Sequence, residues 1–146
     1  MLKKWDKLPQ QLKLEEIRPY YDVLDKKRGS LVLKRLFDIV VSAILLILLS
    51  PVILVLSVAI KVDSRGPVFY RQERYTQYGR KFKIHKFRSM CDGADKKGAL
   101  VTVGNDMRIT RVGKVVRKCR LDEIAQLIDV FKGDMTFVGV RPEVKK

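Results

Sequence analysis

Ile39 to Ile60, IVVSAILLILLSPVILVLSVAI, is the stretch whose reading decides the architecture. It carries no charge, and Lys34, Arg35 and Asp38 flank it on one side, Lys61, Asp63 and Arg65 on the other. As helix it would be about 33 Å long, enough to cross the hydrocarbon core of a bilayer. A soluble domain in a 146-residue chain rarely buries so long an uncharged run. A membrane segment is therefore the first reading and a buried core helix the second.

Pro51, behind Ser50, breaks the run near its centre. Proline has no N–H and crowds the preceding turn, so it kinks or ends a helix. The freed carbonyl needs a donor in lipid, and the Ser50 hydroxyl beside it can serve. Two geometries fit: a kinked crossing, or a helix-break-helix hairpin that enters and leaves by the same face. Ten Lys and Arg precede the run and 21 follow it, outnumbering acids on both sides. Both flanks therefore favour the cytoplasmic face, which re-entry satisfies and a single crossing does not.

The net charge of +15 calls for an anionic partner: phospholipid, nucleic acid or a phosphorylated substrate. Cys91 and Cys119 make no disulfide framework or metal-ligand spacing, and a reducing cytosol is the default. No signal peptide, internal repeat or low-complexity tract is visible. The expected organisation is residues 1–30 as an N-terminal polar or interfacial segment, 31–62 as the re-entrant membrane helix, and 63–146 as a cytoplasmic catalytic domain. The fold class is α+β, mostly helical, with one small β-hairpin.

Before the run, Leu12, Leu14 and Ile17 lie among charges between Pro9 and Pro19. A short interfacial helix, with Trp5, Tyr20 and Tyr21 at headgroup level, competes evenly with a loose tail. Lys34 and Arg35 are expected to snorkel to lipid phosphates. After the run, Asp63-Ser64-Arg65-Gly66-Pro67 is a turn. The runs Val68–Gln72 and Lys81–Phe87, separated by Thr76-Gln77-Tyr78-Gly79, predict the hairpin, with Phe82 and Ile84 packed and Lys81 and Lys83 wet. His85 reads as structural, and Lys86 and Arg88 stand at alternate positions.

Residues 90–105 read as a loop. Thr110 or Asp106 is expected to cap a short helix with a stripe of Ile109, Val112, Val115 and Val116, ending in the basic run Arg117 to Arg120. Asp122 and Glu123 open a second helix, with Ile124, Leu127, Ile128 and Phe131 at helical spacing and Gly133 as its stop. Taken alone, Asp122-Glu123 is ordinary helix-start chemistry, with Asp as N-cap. Carboxylates beside a basic cluster also make a place where phosphate and Mg²⁺ can meet, and a carboxylate can be the nucleophile of phosphoryl transfer.

Six blocks carry a resemblance. KRLFDIVVS, the Ser-Pro break, DSRGPVFYRQER, KIHKFRSM, DMRITRVGKVVRKCRLDE and KGDMTFVGVRPE stand in the order seen in bacterial sugar transferases, the monotopic phosphoglycosyl transferases of glycan and exopolysaccharide assembly. The chain resembles them from Leu31 to Glu143. The resemblance implies transfer of a sugar-1-phosphate from a UDP-sugar to polyprenyl (undecaprenyl) phosphate, with release of UMP, at the cytoplasmic face of the bacterial inner membrane. It implies Mg²⁺ as cofactor and Asp122 as the nucleophile that forms a phosphosugar intermediate. Glu123 would help Asp122 hold the metal or position the acceptor. Arg117, Arg141 and Pro142 match phosphate-binding positions, Lys86 and Arg88 match the K-F-[RK] motif, and Ser50-Pro51 matches the re-entrant break.

Three departures stand out. Ala125 replaces the proline of D-E-L-P-Q, Val140 replaces the first proline of G-P-R-P, and the family pattern continues past Lys146. The expected partners are the UDP-sugar, polyprenyl phosphate and membrane lipids, with self-association left open and no nucleic acid. Two other classes stay on the table: an inactive, truncated membrane scaffold, and a membrane-anchored basic protein that binds nucleic acid. No recognised nucleic-acid module supports the latter.

Overall fold

The computed structural model describes residues 2–94, 106–140 and 142–143. The apolar run folds as two helices, α2 (Arg28–Leu48) and α3 (Ser50–Asp63), bent by 60° at Leu49. Neither helix alone is long and apolar enough to cross a membrane, but the bent pair passes that test together. The break has the predicted cause. Pro51 cannot donate to Ile47, and Ser50 Oγ instead donates to the Ile47 carbonyl at 2.7 Å. Ser42 and Ser57 likewise turn their hydroxyls onto the carbonyls of Asp38 and Ile53, both at 2.6 Å.

The two helices are neither wholly buried nor wholly exposed. One face of α3 closes the domain core: Ile60 is buried with Phe87, Val116 and Ala125, and Ile53 and Leu56 pack against that cluster. The opposite face, with Leu54, Val55, Val58 and Val62, stays exposed. On α2, Leu36, Phe37, Val40, Ile44, Ile47 and Leu48 are exposed as well. Burying each large core side chain contributes about 1.5–3 kcal/mol, so the core depends on α3.

The hairpin forms as read. Strands β1 (Phe69–Tyr75) and β2 (Lys81–Phe87) pair antiparallel from Phe69↔Phe87 to Tyr75↔Lys81. Phe82 and Ile84 are buried while Lys81 and Lys83 are exposed. Tyr78 and Gly79 both have positive φ in the connecting turn. The N-terminal region, read as an even choice between a loose tail and an interfacial helix between Pro9 and Pro19, has no continuous helix there. Short 3-10 turns replace it, and α1 (Arg18–Lys26) begins where the helix was expected to stop. Pro19 sits in the first turn of α1, where its missing N–H costs nothing. Trp5 and Tyr21 pack edge to face at 5.0 Å between ring centres, and the Tyr21 hydroxyl donates to the Lys3 carbonyl.

In the C-terminal half, Thr110 caps α4 (Arg111–Lys118), its Oγ1 accepting the Gly113 N–H at 2.9 Å. A Cβ on Gly113 would lie 2.0 Å from the Ser89 carbonyl oxygen, so only glycine lets α4 approach the chain leaving β2. Val116 is fully buried, whereas Val115 is 58% exposed and leaves the predicted stripe. The second predicted helix divides into a 3-10 turn, Leu121–Gln126, and α5 (Leu127–Lys132), which Gly133 ends at φ +90°. Its buried residues are Ala125, Gln126, Asp129 and Val130; of the expected stripe, Ile124 packs against the core cluster and Leu127 and Ile128 are half-buried. Phe131 is exposed.

Lys34 and Arg35 are engaged by the C-terminal part of the domain. Arg35 donates to the carbonyls of Val130 and Phe131, both at 2.7 Å, and so caps the C-terminal end of α5. Lys34 donates to Thr136 Oγ1 at 2.8 Å and to the Val138 carbonyl. Asp38, buried, accepts from Thr136 Oγ1 at 2.7 Å and from the Phe137 N–H at 3.3 Å. At the other end of the bent pair, Asp63 Oδ2 accepts the Val112 N–H at 2.9 Å. The same small domain thus grips the base of both helices.

Candidate active site

The 3-10 turn Leu121–Gln126 packs along β2, and this is what brings Lys86 to the acidic pair. Lys86 Nζ lies 3.7 Å from Asp122 Oδ2 and 3.8 Å from Glu123 Oε1. These are ion-pair distances longer than hydrogen bonds, and the three side chains are partly exposed. Asp122 is not an N-cap: Arg120 holds that position in the left-handed conformation, φ +53°, without a side-chain capping bond. That residue turns the chain from α4 into the 3-10 turn, and both carboxylates then fall in its first turn, where the helix dipole favours negative charge.

Arg88 goes elsewhere. It is 5% exposed, and its guanidinium donates to the carbonyls of Ser64 and Arg65 and to Ser64 Oγ at 2.6 to 3.1 Å. A Cβ on Gly66, whose φ is +123°, would collide with that guanidinium at 2.1 Å. Arg88 therefore ties the end of β2 to the turn after α3, and the structure does not bring it beside Asp122. Arg117 stands on the last turn of α4, and its charge helps to lower the Asp106 carboxyl. Pro142 is partly buried, and its carbonyl lies 3.5 Å from Arg74 Nη1. Glu143 pairs with Tyr75 as an isolated antiparallel bridge. The predicted Arg141, together with the greater part of the loop expected at 90–105, lies outside the described residues.

Three further carboxylates support this region, and Asp129 is the one that the sequence reading does not single out. The Asp129 carboxylate is buried against His85: Oδ2 accepts the His85 backbone N–H at 2.8 Å, and Oδ1 meets Nδ1 at 2.6 Å. Asp106 accepts the Arg108 guanidinium at 2.6 to 3.1 Å and its backbone N–H at 3.0 Å. Those bonds hold its carboxyl well below the usual carboxylate range, at about 2. The Asp63 carboxyl is lowered too, first by the Val112 N–H, then by the Thr110 hydroxyl and the Arg111 charge. An aspartate on a polar helix position carries no mark of a partner 44 residues away.

Among the described residues, no cluster of three or more His, Cys, Asp and Glu is disposed to hold a metal. Mg²⁺ needs less from a protein: one or two carboxylates, with water and substrate phosphates completing its shell. Adjacent, partly exposed Asp122 and Glu123 fit that requirement, with the Lys86 ammonium sharing their charge.

The family model for bacterial sugar transferases matches residues 29–146. A UDP-N-acetylgalactosamine-undecaprenyl-phosphate N-acetylgalactosaminephosphotransferase of Aeromonas hydrophila is 48% identical over 111 residues, 76% of this chain and 26% of that protein. A UDP-glucose:undecaprenyl-phosphate glucose-1-phosphate transferase of Klebsiella pneumoniae is 45% identical over 113 residues, 77% of this chain and 24% of that protein. The exopolysaccharide production protein PSS of Rhizobium leguminosarum bv. phaseoli is 46% identical over 112 residues, 76% of this chain and 56% of that protein. The chain thus spans about a quarter of the first two and just over half of the third.

Proposed function

This chain belongs to the bacterial sugar transferase family, and from that premise we propose that it transfers a sugar-1-phosphate from a UDP-sugar to undecaprenyl phosphate at the cytoplasmic face of the bacterial inner membrane. The observation that carries the reading is the convergence of Lys86 on Asp122 and Glu123 at 3.7 and 3.8 Å. The Aeromonas and Klebsiella relatives, named for UDP-sugars and undecaprenyl phosphate, supply the reaction class.

In the first step a carboxylate oxygen of Asp122 attacks the β-phosphorus of the UDP-sugar. The bond from that phosphorus to the oxygen bridging the α-phosphate breaks, and UMP leaves with the electron pair. The product on the protein is an aspartyl phosphosugar. In the second step an oxygen of undecaprenyl phosphate attacks the same phosphorus, the acyl-phosphate bond breaks, and the Asp122 carboxylate is restored. Lys86 offers a cation to phosphate oxygens as charge builds on them. Glu123 would hold Mg²⁺ with Asp122, and the bound ion would neutralise diphosphate charge. Arg117 and Arg141 are proposed as phosphate contacts.

The re-entrant reading rests on the grip described above. Arg35 and Asp38 at the base of α2 bind the segment 130–137, and Ile60 and Asp63 at the base of α3 bind the core and α4. One domain holding both bases favours their lying on one side of a bilayer. With limbs of about 15 and 21 Å and the 60° bend, the tip reaches about 9 Å below the line joining the bases, within a single leaflet.

The test uses membranes carrying the full-length protein, a radiolabelled UDP-sugar and undecaprenyl phosphate. UMP release and a labelled lipid product are expected, and Asp122→Asn should stop both. Release that survives this substitution would remove Asp122 as nucleophile; a labelled protein adduct trapped without acceptor would support the two-step course.

A further inference from the structure

From the edge of β2 we infer that His85 and Asp129 form a register pin, a pair of positioning residues that holds Lys86 opposite Asp122 and Glu123. The inference deepens the function proposed above and rests on that reading for its activity arm.

Strand β2 pairs with β1 along one edge only. The outward N–H of His85 on its other edge is taken by Asp129 Oδ2 at 2.8 Å. The second oxygen of the same carboxylate lies 2.6 Å from Nδ1 of the same histidine. A carboxylate only accepts, so Nδ1 carries the proton and donates. One buried group on α5 therefore grips both the backbone and the side chain of one strand residue. Asp129 is 1% exposed and His85 7%, and charge-assisted bonds in such surroundings are short and directional.

Lys86 is the next residue on the strand, and Asp122 and Glu123 lie in the turn that runs directly into α5. A slip of one residue along β2 would shift the ammonium by about 3.3 Å and turn it to the other face. Nothing in the Lys86 contacts prevents such a slip, since both carboxylates stand beyond hydrogen-bond length. The ladder with β1 and the burial of Phe82, Ile84 and Phe87 set the register within the hairpin, and the His85–Asp129 pair, with two directional bonds to one residue, sets that of β2 against α5. Asparagine at 129 could keep both contacts if His85 changed tautomer, its Oδ1 accepting the backbone N–H and its Nδ2 donating to Nδ1; leucine could keep neither.

The experiment compares Asp129→Leu, Asp129→Asn and His85→Phe in the full-length protein, with and without Lys86→Met. Asp129→Leu should lower kcat about tenfold with KM for the UDP-sugar changed less than about twofold, and Asp129→Asn should recover most of the loss. If the pair acts through Lys86, its effect should vanish in the Lys86→Met background; effects that multiply independently would overturn the proposal. A second arm needs no turnover: brief acetylation with mass-spectrometric readout should label Lys86 several-fold faster in Asp129→Leu and leave Lys61 unchanged. Unaltered Lys86 labelling would also overturn it. Should Asp129→Leu not fold, His85→Phe, which keeps the backbone bond and loses the ring bond, decides both arms. A parent protein without transferase activity would remove the proposed function and leave the labelling arm standing.

Discussion

Ser50 Oγ donates at 2.7 Å to the carbonyl of Ile47, the group that Pro51 deprives of its usual helical partner. The break in the apolar run is therefore satisfied within the chain itself, without water, as a hydrocarbon environment requires. This contact turns a proline kink into a stable 60° bend between α2 and α3.

The first prediction concerns that bend. With exposed Cys91 and Cys119 replaced by serine, Ser30→Cys and Arg65→Cys should both react with an impermeant maleimide from the cytoplasmic side. Pro51→Leu restores a donor to Ile47 and favours one continuous helix, so part of the Arg65→Cys population should become reactive from the opposite side. Labelling of the two sites from different sides in the unsubstituted background would end the re-entrant reading.

Lys86→Gln should reduce transfer about 10- to 100-fold, since the neutral amide cannot balance the carboxylates or the phosphate charge. Because the ion pair is long and partly exposed, stability should change by less than about 1 kcal/mol. Thermal unfolding measured beside turnover separates the two effects. A large loss of stability would make Lys86 a structural residue.

Asp38→Ala should destabilise the protein by about 1–3 kcal/mol, because Asp38 is buried and accepts from Thr136 and Phe137. Thr136→Val removes one of the same bonds, so the double variant should lose less than the sum of the two singles. Denaturant titration of the four proteins measures the difference. Strict additivity would mean the contact contributes nothing to stability.

Gly113→Ala should cost at least about 1–3 kcal/mol, as an overpacked core does, since the new Cβ meets backbone at Ser89 rather than a movable side chain. Gly29→Ala, at an open helical site, should be neutral or stabilising by up to about 1 kcal/mol. Equal behaviour of the two would place α4 farther from Ser89 than the structure has it.

Acid should loosen the 106–112 region before it affects the hairpin core. The Asp106 carboxyl is depressed to about 2 by Arg108, and Asp63 is lowered by the Val112 N–H. A depressed carboxyl contributes its stability in full above its unfolded value, near 4, and loses it as pH falls through the folded one. The melting temperature should therefore be flat from about pH 8 to pH 5 with respect to these groups and fall below about pH 4. Asp106→Asn should reduce that acid-dependent part. An undiminished slope would assign it to other groups.

Much of this protein is written locally. Pro51 dictates a break because the missing N–H belongs to that residue, and Ser50 can repair it from one position away. Alternation at Lys81–Ile84 fixes which side of the hairpin is wet, Thr110 caps α4, and Gly133 ends α5 at a φ that other residues avoid. The Asp122-Glu123 pair was visible as chemistry, through its neighbours and through the family pattern around it. In each case the physical cause lies within a few residues of its effect.

What the sequence could not determine is which distant group each charge would meet. Lys34 and Arg35 read as headgroup anchors, and the fold binds them, with Asp38, to residues 130–138, about a hundred positions away. Arg88 matches a phosphate motif and is instead enclosed by Ser64 and Arg65. On α5, Asp129, which accepts from His85, and Val130 face inward, and Phe131 lies outward against its apolar character. Such pairings arise only when the elements dock, because a buried polar group must find its partner in the assembled structure. Residue spacing along the chain does not encode that choice.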